Sequence, residues 1–326
     1  CGSSLATAAT MGRVALPEML NRGYSPTLAS GSIAAGGTLG MLIPPSVIMV
    51  IYAFLAEQFV ITLFIAAIIP GLVAVACHFI AIGVVVRINP EAGPAGDRMG
   101  WSERLVVARE SWGVMLLLIA VIGGIYGGVF TVSEAAALGA GLAFMFTVGR
   151  GKLTAESFWL VLRETASNTA MIYLIISGAS IFTYFISTTK MPGALVTSII
   201  AMDLPPLVVI GILMIAYLIL GSIFDTIAAM VITMPFVYPL VVGIGYDPIW
   251  WGIVLVMVIE IGMITPPIGM NVFVLFGVAE TIPLKTIFTG IIPFLIADLF
   301  RLALVILFPI IALWLPLALG MAMGES

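Results

Sequence analysis

Residues 60–86, 113–130, 166–187 and 288–318 form long apolar runs that are almost free of charge. A helix needs about 20 such residues to cross a bilayer. Of the whole chain, 62% is hydrophobic and only 9% is charged, against about 25% charged in an ordinary soluble domain. Too few polar groups exist to cover a water-facing surface, so the surface must lie in lipid. These runs read as membrane helices, and the fold class as an all-α membrane protein.

The rest of the composition excludes other classes. No basic stripe offers a nucleic-acid partner. Cys1 and Cys77 stand far apart and make no disulfide or metal pattern. His78 sits inside an apolar run and reads as a packed or interfacial histidine rather than a proton relay. No His/Cys/Asp cluster has metal-ligand spacing, which speaks against an enzyme. Residue 1 opens directly onto Gly2-Ser3-Ser4 with no charged leader. The chain reads as one whose N-terminal part lies outside this sequence.

An internal repeat organises the chain. Gly23-Tyr24-Ser25-Pro26 matches Gly245-Tyr246-Asp247-Pro248 at an offset of 222. At the same offset Pro17 meets Pro239, and Gly40-Met41-Leu42-Ile43-Pro44-Pro45 meets Gly262-Met263-Ile264-Thr265-Pro266-Pro267. After one inserted residue the match resumes, with Ala56-Glu57 against Ala279-Glu280 and Ile68-Ile69-Pro70 against Ile291-Ile292-Pro293. Apolar residues coincide by chance in such a chain; Gly, Tyr and Pro at constant spacing do not. Five crossings separate the loop at 21–27 from its copy at 243–248, and an odd number inverts the second copy. Arg22, Arg87 to Arg109, Arg150 to Arg163 and Lys285 then share one side, which the positive-inside rule makes cytoplasmic. Glu57, Asp203 and Asp247 take the other, with Lys190 the exception. Inverted repeats of this kind mark secondary transporters.

Each copy carries two polar elements at membrane depth. One is the doubled proline, which removes two backbone donors and should unwind residues 40–46 and 262–269. The other is a hairpin. Residues 206–223 and 227–242 are apolar arms of about 17 residues around Phe224-Asp225-Thr226, short for full spans. They fit a re-entrant hairpin with Asp225 at its tip. Ser3-Ser4 align with Asp225-Thr226, so residues 1–4 form the tip of a second one. Such tips present hard oxygen ligands and the negative ends of half-helices, which suit Na+. Two Na+ sites are expected, one from Gly2, Ser3, Ser4, Gly40 and Ile43 and one from Asp225, Thr226, Gly262 and Thr265. Half-helix N-termini favour an anionic substrate, expected between the tips near Ser46 and Asn271, with Pro45 and Pro267. Glu260 is a second acid at membrane depth, and a proton-coupled mechanism would use it with Asp225. Arg301 fits an i,i+3 pair with Asp298. Residues 101–111 read as an amphipathic interfacial helix.

Three stretches carry a family resemblance. Gly2-Ser3-Ser4-Leu5-Ala6-Thr7-Ala8-Ala9-Thr10-Met11-Gly12, the run Gly123 to Ala136, and Glu260-Ile261-Gly262-Met263-Ile264-Thr265-Pro266-Pro267-Ile268-Gly269-Met270-Asn271 resemble the large membrane subunit of tripartite ATP-independent periplasmic (TRAP) transporters, of the DctM type. The likeness covers essentially the whole chain. Val132 departs from it, since the family usually has Pro there.

The resemblance implies an ion-transporter-superfamily fold with inverted repeats, two re-entrant hairpins and two broken transmembrane helices, working as an elevator. Residues 1–86 and 190–287 would form the transport domain, 87–189 the interfacial helix and scaffold helices, and 288–326 a scaffold-side C-terminal span. It further implies Na+-coupled import of an organic acid across the bacterial inner membrane, with no cofactor beyond the coupling ion. A periplasmic substrate-binding protein would deliver the acid, and a small four-helix membrane subunit would brace the scaffold in the bilayer. The alternative is a proton-coupled or binding-protein-independent anion transporter or antiporter of the same superfamily. A channel is disfavoured, because channels usually build pores from symmetric subunits.

Overall fold

Two doubled prolines break two long apolar helices at corresponding places, and the rest of the architecture is arranged around those breaks. The computed structural model describes residues 2–96, 100–279 and 281–321. The helices in chain order are α1 (Ser4–Asn21), α2 (Pro26–Leu42), α3 (Val47–Leu55), α4 (Val60–Ala66), α5 (Ile68–Ile88), α6 (Trp101–Glu110), α7 (Trp112–Tyr126), α8 (Val132–Gly149), α9 (Ala155–Thr188) and α10 (Met191–Ala201). They continue with α11 (Pro206–Ile223), α12 (Thr226–Gly243), α13 (Pro248–Gly262), α14 (Met270–Val278), α15 (Leu284–Leu307) and α16 (Ile310–Ala318). No strand occurs among the described residues. Among the described residues, seven helical segments are long and apolar enough to cross a membrane. The chain is an all-α membrane protein.

The repeat survives in the helix ends. α1 and α12 are both 18 residues long and are displaced by 222 positions at either end. α3 and α14 are both nine residues long and are displaced by 223. The inserted residue therefore falls inside the second break, Met263 to Gly269, against Ile43 to Ser46 in the first.

The two broken helices run in opposite directions. The Tyr52 hydroxyl, near the end of α3, donates to the carbonyl of Pro248 at the start of α13, at 2.6 Å. Gly252, one turn further on, packs against Tyr52 and Leu63. Packing is reciprocal as well: α1 lies on α14, and α12 lies on α3. Such exchange of equivalent contacts is what a twofold relation produces.

Two compact units divide the chain, one holding residues up to Pro94 and from Ser177 onward, the other Ala95–Ile176. In the first, α13 is the central helix, with every residue from Ile249 to Gly262 buried. A helix apolar all round belongs inside. The Trp250 indole N–H donates to the Val305 carbonyl at 2.9 Å. α2 packs against α1 and α15, and Gly31 meets Gly290 backbone to backbone at the α2–α15 crossing. Small residues permit that approach between membrane helices. The C-terminal span α15 also packs against α5.

In the second unit α7 packs on α8, with Trp112 edge-on to Phe146. Thr131 and Glu134 close a reciprocal capping box at the start of α8. In α6 the Arg104 guanidinium lies over the Trp101 ring at 5.2 Å.

Two expectations shift. The span at 166–187 is part of a longer helix, α9, whose start is set by reciprocal Thr154–Ser157 hydrogen bonds of 3.0 and 3.1 Å. The first break begins at Ile43 rather than at residue 40. A residue before proline is driven to extended backbone, and Ile43 has φ −84° and ψ 119°.

Candidate functional site

Proline acts on the helix four residues behind it. Pro44 and Pro45 stand where donors to the Gly40 and Met41 carbonyls would be, and Pro266 and Pro267 do the same to Gly262 and Met263. Gly40 therefore lies inside α2 while its carbonyl is deprived of the usual partner. Both Pro-Pro bonds are cis.

The second break takes up part of its own deficit. The Thr265 N–H donates to the Gly262 carbonyl at 2.9 Å, and the Asn271 N–H to the Met263 carbonyl at 3.1 Å. The Thr265 hydroxyl donates to the Ile261 carbonyl at 2.7 Å, which leaves its lone pairs free. Gly269 closes the break with φ +65°, a left-handed conformation that favours glycine. In the first break Ser46 caps α3, its buried hydroxyl accepting from the Met49 N–H at 3.5 Å.

The start of α1 and the α11–α12 turn each rest against a break. At the first, Ser3 caps α1, and a Cβ on Gly2 would stand 3.1 Å from both the Pro45 carbonyl oxygen and the Val47 nitrogen. The Ser3 carbonyl is engaged by the Thr7 hydroxyl at 2.8 Å. Buried Ser4 accepts a hydrogen bond from the Asn271 side-chain amide, which also donates to the Ala34 carbonyl at 3.3 Å.

At the second tip Asp225 caps α12, its carboxylate accepting from the Ile227 and Ala228 N–H groups at 2.9 and 3.4 Å. Charge at this position is favoured by the helix dipole. Buried Thr226 donates to the Met263 sulfur at 3.0 Å. The Gly269 N–H donates to the Ser222 carbonyl at 3.2 Å. Gly221 and Gly262 meet backbone to backbone. Ser3 and Asp225, equivalent in the repeat, thus hold the same cap position; Thr226 meets the second break at Met263, and Ser4 meets α14 just beyond it at Asn271.

The structure brings Gly2, Ser4, Pro45 and Asn271 into one contiguous set and Thr226, Gly262 and Asp225 into another. The Ile43 side chain is exposed, as are Pro45 and Pro267. Asn271 and Ser46 are fully buried and already bonded within the protein. Three cavities of about 470, 240 and 230 Å³ run along α15, and neither Ser46, Pro45, Pro267 nor Asn271 lines any of them. Sequence reasoning missed Ser222, Gly221 and Met263. A glycine repeated at hairpin and break, Gly221 with Gly262, was the available signal.

Comparison with known proteins finds relatives over nearly the whole chain. The family model described as "Tripartite ATP-independent periplasmic transporter, DctM component" matches residues 1–311. A C4-dicarboxylate TRAP transporter large permease from Pseudomonas aeruginosa is 36% identical over 98% of this chain and 75% of its own length. A sialic acid TRAP transporter large permease from Vibrio cholerae is 32% identical over 97% of this chain and 73% of its own. An ectoine TRAP transporter large permease from Halomonas elongata is 30% identical over 96% and 73%.

Proposed function

The chain belongs to the DctM family of tripartite ATP-independent periplasmic transporters, and from that premise we propose that it is the permease through which Na+ drives an organic acid across the bacterial inner membrane. It is a transporter subunit, not an enzyme. The observation that carries the reading is the pair of doubled prolines. Each takes backbone carbonyls out of the helix ladder beside the start of α1 or the α11–α12 turn, and such carbonyls, through the lone pairs left over, together with nearby hydroxyls are the ligands a small dehydrated monovalent cation takes.

One Na+ would be held by Gly2, Ser3, Ser4 and the carbonyls of Gly40 and Ile43. The other would be held by Asp225, Thr226, Gly262 and Thr265. No charged ligand besides Asp225 is needed, because the C-terminal end of each half-helix supplies partial negative charge. The acid would lie between the tips, against Ser46, Asn271, Pro45 and Pro267. The Asn271 side-chain nitrogen already donates to Ser4 and Ala34, while its buried oxygen has no hydrogen-bond partner among the described residues, so a donor on the acid could take that oxygen without displacing either bond. The two hairpins and the breaks would move together as an elevator. The relatives are named for a C4-dicarboxylate, sialic acid and ectoine. All three carry a carboxylate, the group a pair of half-helix N-termini would bind.

The partners follow from the family: a periplasmic substrate-binding protein and a small membrane subunit. The test is uptake of labelled organic acids into liposomes holding the permease and its small subunit. Uptake should require both an inward Na+ gradient and the loaded binding protein. Uptake that persists without Na+ but follows a proton gradient would refute the coupling. Uptake without the binding protein would refute the delivery step.

A further inference from the structure

The three cavities beside α15 share walls. The largest, about 470 Å³, lies between α5 and α15. It shares Val85 and Pro293 with the cavity of about 230 Å³ and Ile292 with the one of about 240 Å³, and Thr289 lines both of the smaller two. Together they form one trough. None of the residues proposed above to hold the cations or the acid lines it.

The trough is apolar at one end and polar at the other. α5 and α15 run antiparallel along it: His78 bonds Asp298 toward one end, and Val85 and Asn89 share a cavity with Thr289 and Gly290 toward the other. Apart from Cys77, the large cavity is walled by aliphatic, proline and phenylalanine side chains. Ser25, Asn89 and Thr289 line the second cavity, and Lys285 lines the third. Ile80, Ile88, Ile296 and Phe300, on the open side, are all more than half exposed, and both helices belong to membrane-spanning segments. From Cys77 to Ile88 the trough follows about 16 Å of helix at 1.5 Å per residue. One leaflet of hydrocarbon is about 15 Å deep, half of the bilayer core.

Cations gather at the polar end. Lys285 lines it, and Arg87 stands beside Ile88 on its rim. The Ser25 N–H donates to the Ala92 carbonyl at 3.0 Å and brings the 21–27 loop to the same place. Arg22 of that loop pairs with Glu18 at 2.8 Å. Arg87 and Lys285 have no ion-pair partner among the described residues, and Glu91 in the adjoining turn pairs with neither.

We propose that this trough seats an anionic phospholipid from the leaflet on the basic side of the protein. One acyl chain lies along α5 and α15, the glycerol region meets Ser25, Asn89 and Thr289, and the phosphate meets Arg87 and Lys285. Basic pockets between membrane helices take anionic headgroups in this way. A neutral lipid leaves both cations without a counter-charge, and so does an apolar partner helix. Pro266 of the second break lines the basic end, so the headgroup lies beside that break. The seat is independent of which ion drives transport and of which acid is carried.

The test uses the complete permease in lipid nanodiscs. Phosphatidylglycerol and phosphatidylcholine with the same diazirine-bearing chains are photocrosslinked, and the labelled peptides are mapped. Phosphatidylglycerol should label α5 and α15 peptides several-fold more than phosphatidylcholine does. Arg87→Gln and Lys285→Gln, both at exposed positions, should each lower phosphatidylglycerol labelling there about fivefold, the worth of one interfacial cation, and leave phosphatidylcholine labelling unchanged. Val84→Trp, which fills the trough from its half-exposed wall, should remove labelling by both. Equal labelling by the two lipids overturns the proposal, as do charge variants that keep the preference. Displacement of phosphatidylglycerol by inorganic phosphate at constant ionic strength also overturns it, since the headgroup alone would then be what binds. A Val84→Trp protein that sheds its small membrane subunit and keeps the lipid label would make the trough a protein interface instead. If Val84→Trp does not fold, the two charge variants decide alone.

Discussion

The side-chain amide of Asn271, just inside α14, donates to the hydroxyl of Ser4, at the start of α1. The bond ties the start of α1 in one copy to the start of α14, just past the break, in the other. The same amide donates to the Ala34 carbonyl at 3.3 Å. Asn271→Ala should strand two buried acceptors and cost about 1–3 kcal/mol, read as a shift in chemical unfolding in detergent. Ser4→Ala keeps the Ala34 contact and should cost less. Equal losses for the two would mean that the Ala34 bond contributes nothing.

Asp225 has two possible jobs that a pair of substitutions separates. As a cap it accepts two backbone N–H bonds, and asparagine caps about as well as aspartate. Asp225→Asn should keep the melting temperature while raising the Na+ concentration needed for half-maximal uptake at least tenfold. Asp225→Ala should do the same and lose about 1 kcal/mol of stability as well. An unchanged Na+ response in Asp225→Asn would confine the residue to capping.

Gly262 faces Gly221 so closely that an added Cβ would stand 2.7 Å from the Gly221 carbonyl carbon. Backbone on both sides cannot yield as a flexible side chain does. Gly262→Ala should therefore separate the hairpin from the break and cost about 1–3 kcal/mol, with a larger loss of uptake than of stability. Gly36→Ala, in open space on α2, is the matched control and should change neither. Thermal unfolding and uptake on the two variants check the contrast.

The breaks and the repeat were legible because Gly, Pro and Tyr report backbone geometry directly. Pro44-Pro45 and Pro266-Pro267 can sit only where a helix stops, and the constant offset between Gly23-Tyr24 and Gly245-Tyr246 survives any apolar drift around them. The limits of the breaks were less legible. Helix persists to Leu42, two residues before Pro44, so Gly40 stays helical and only its carbonyl is affected. His78 of α5, Glu260 of α13, and Asp298 and Arg301 of α15 meet in the core, and this charge cluster was hidden for another reason. Asp298 and Arg301 share a turn and could be paired from sequence. His78 and Glu260 lie on other helices, and only tertiary packing brings them to the same carboxylate. His78 read as a packed histidine; it is buried, with Asp298 as its partner from 220 positions away. A charge count over the apolar runs was the signal available.

Arg301 offers a test of that cluster by subtraction. Removing one partner of a buried ion pair typically costs about 3–5 kcal/mol, because the other charge is left in a dry interior. Arg301→Met should cost that much, since Asp298 would keep only His78 at 3.0 Å. Adding Asp298→Asn to Arg301→Met removes the stranded charge. The double variant should therefore recover part of the lost stability; a double variant no more stable than Arg301→Met would mean that Asp298 is not the group Arg301 satisfies. Chemical unfolding of the two variants beside the wild type distinguishes these outcomes, and it does so without any measurement of transport.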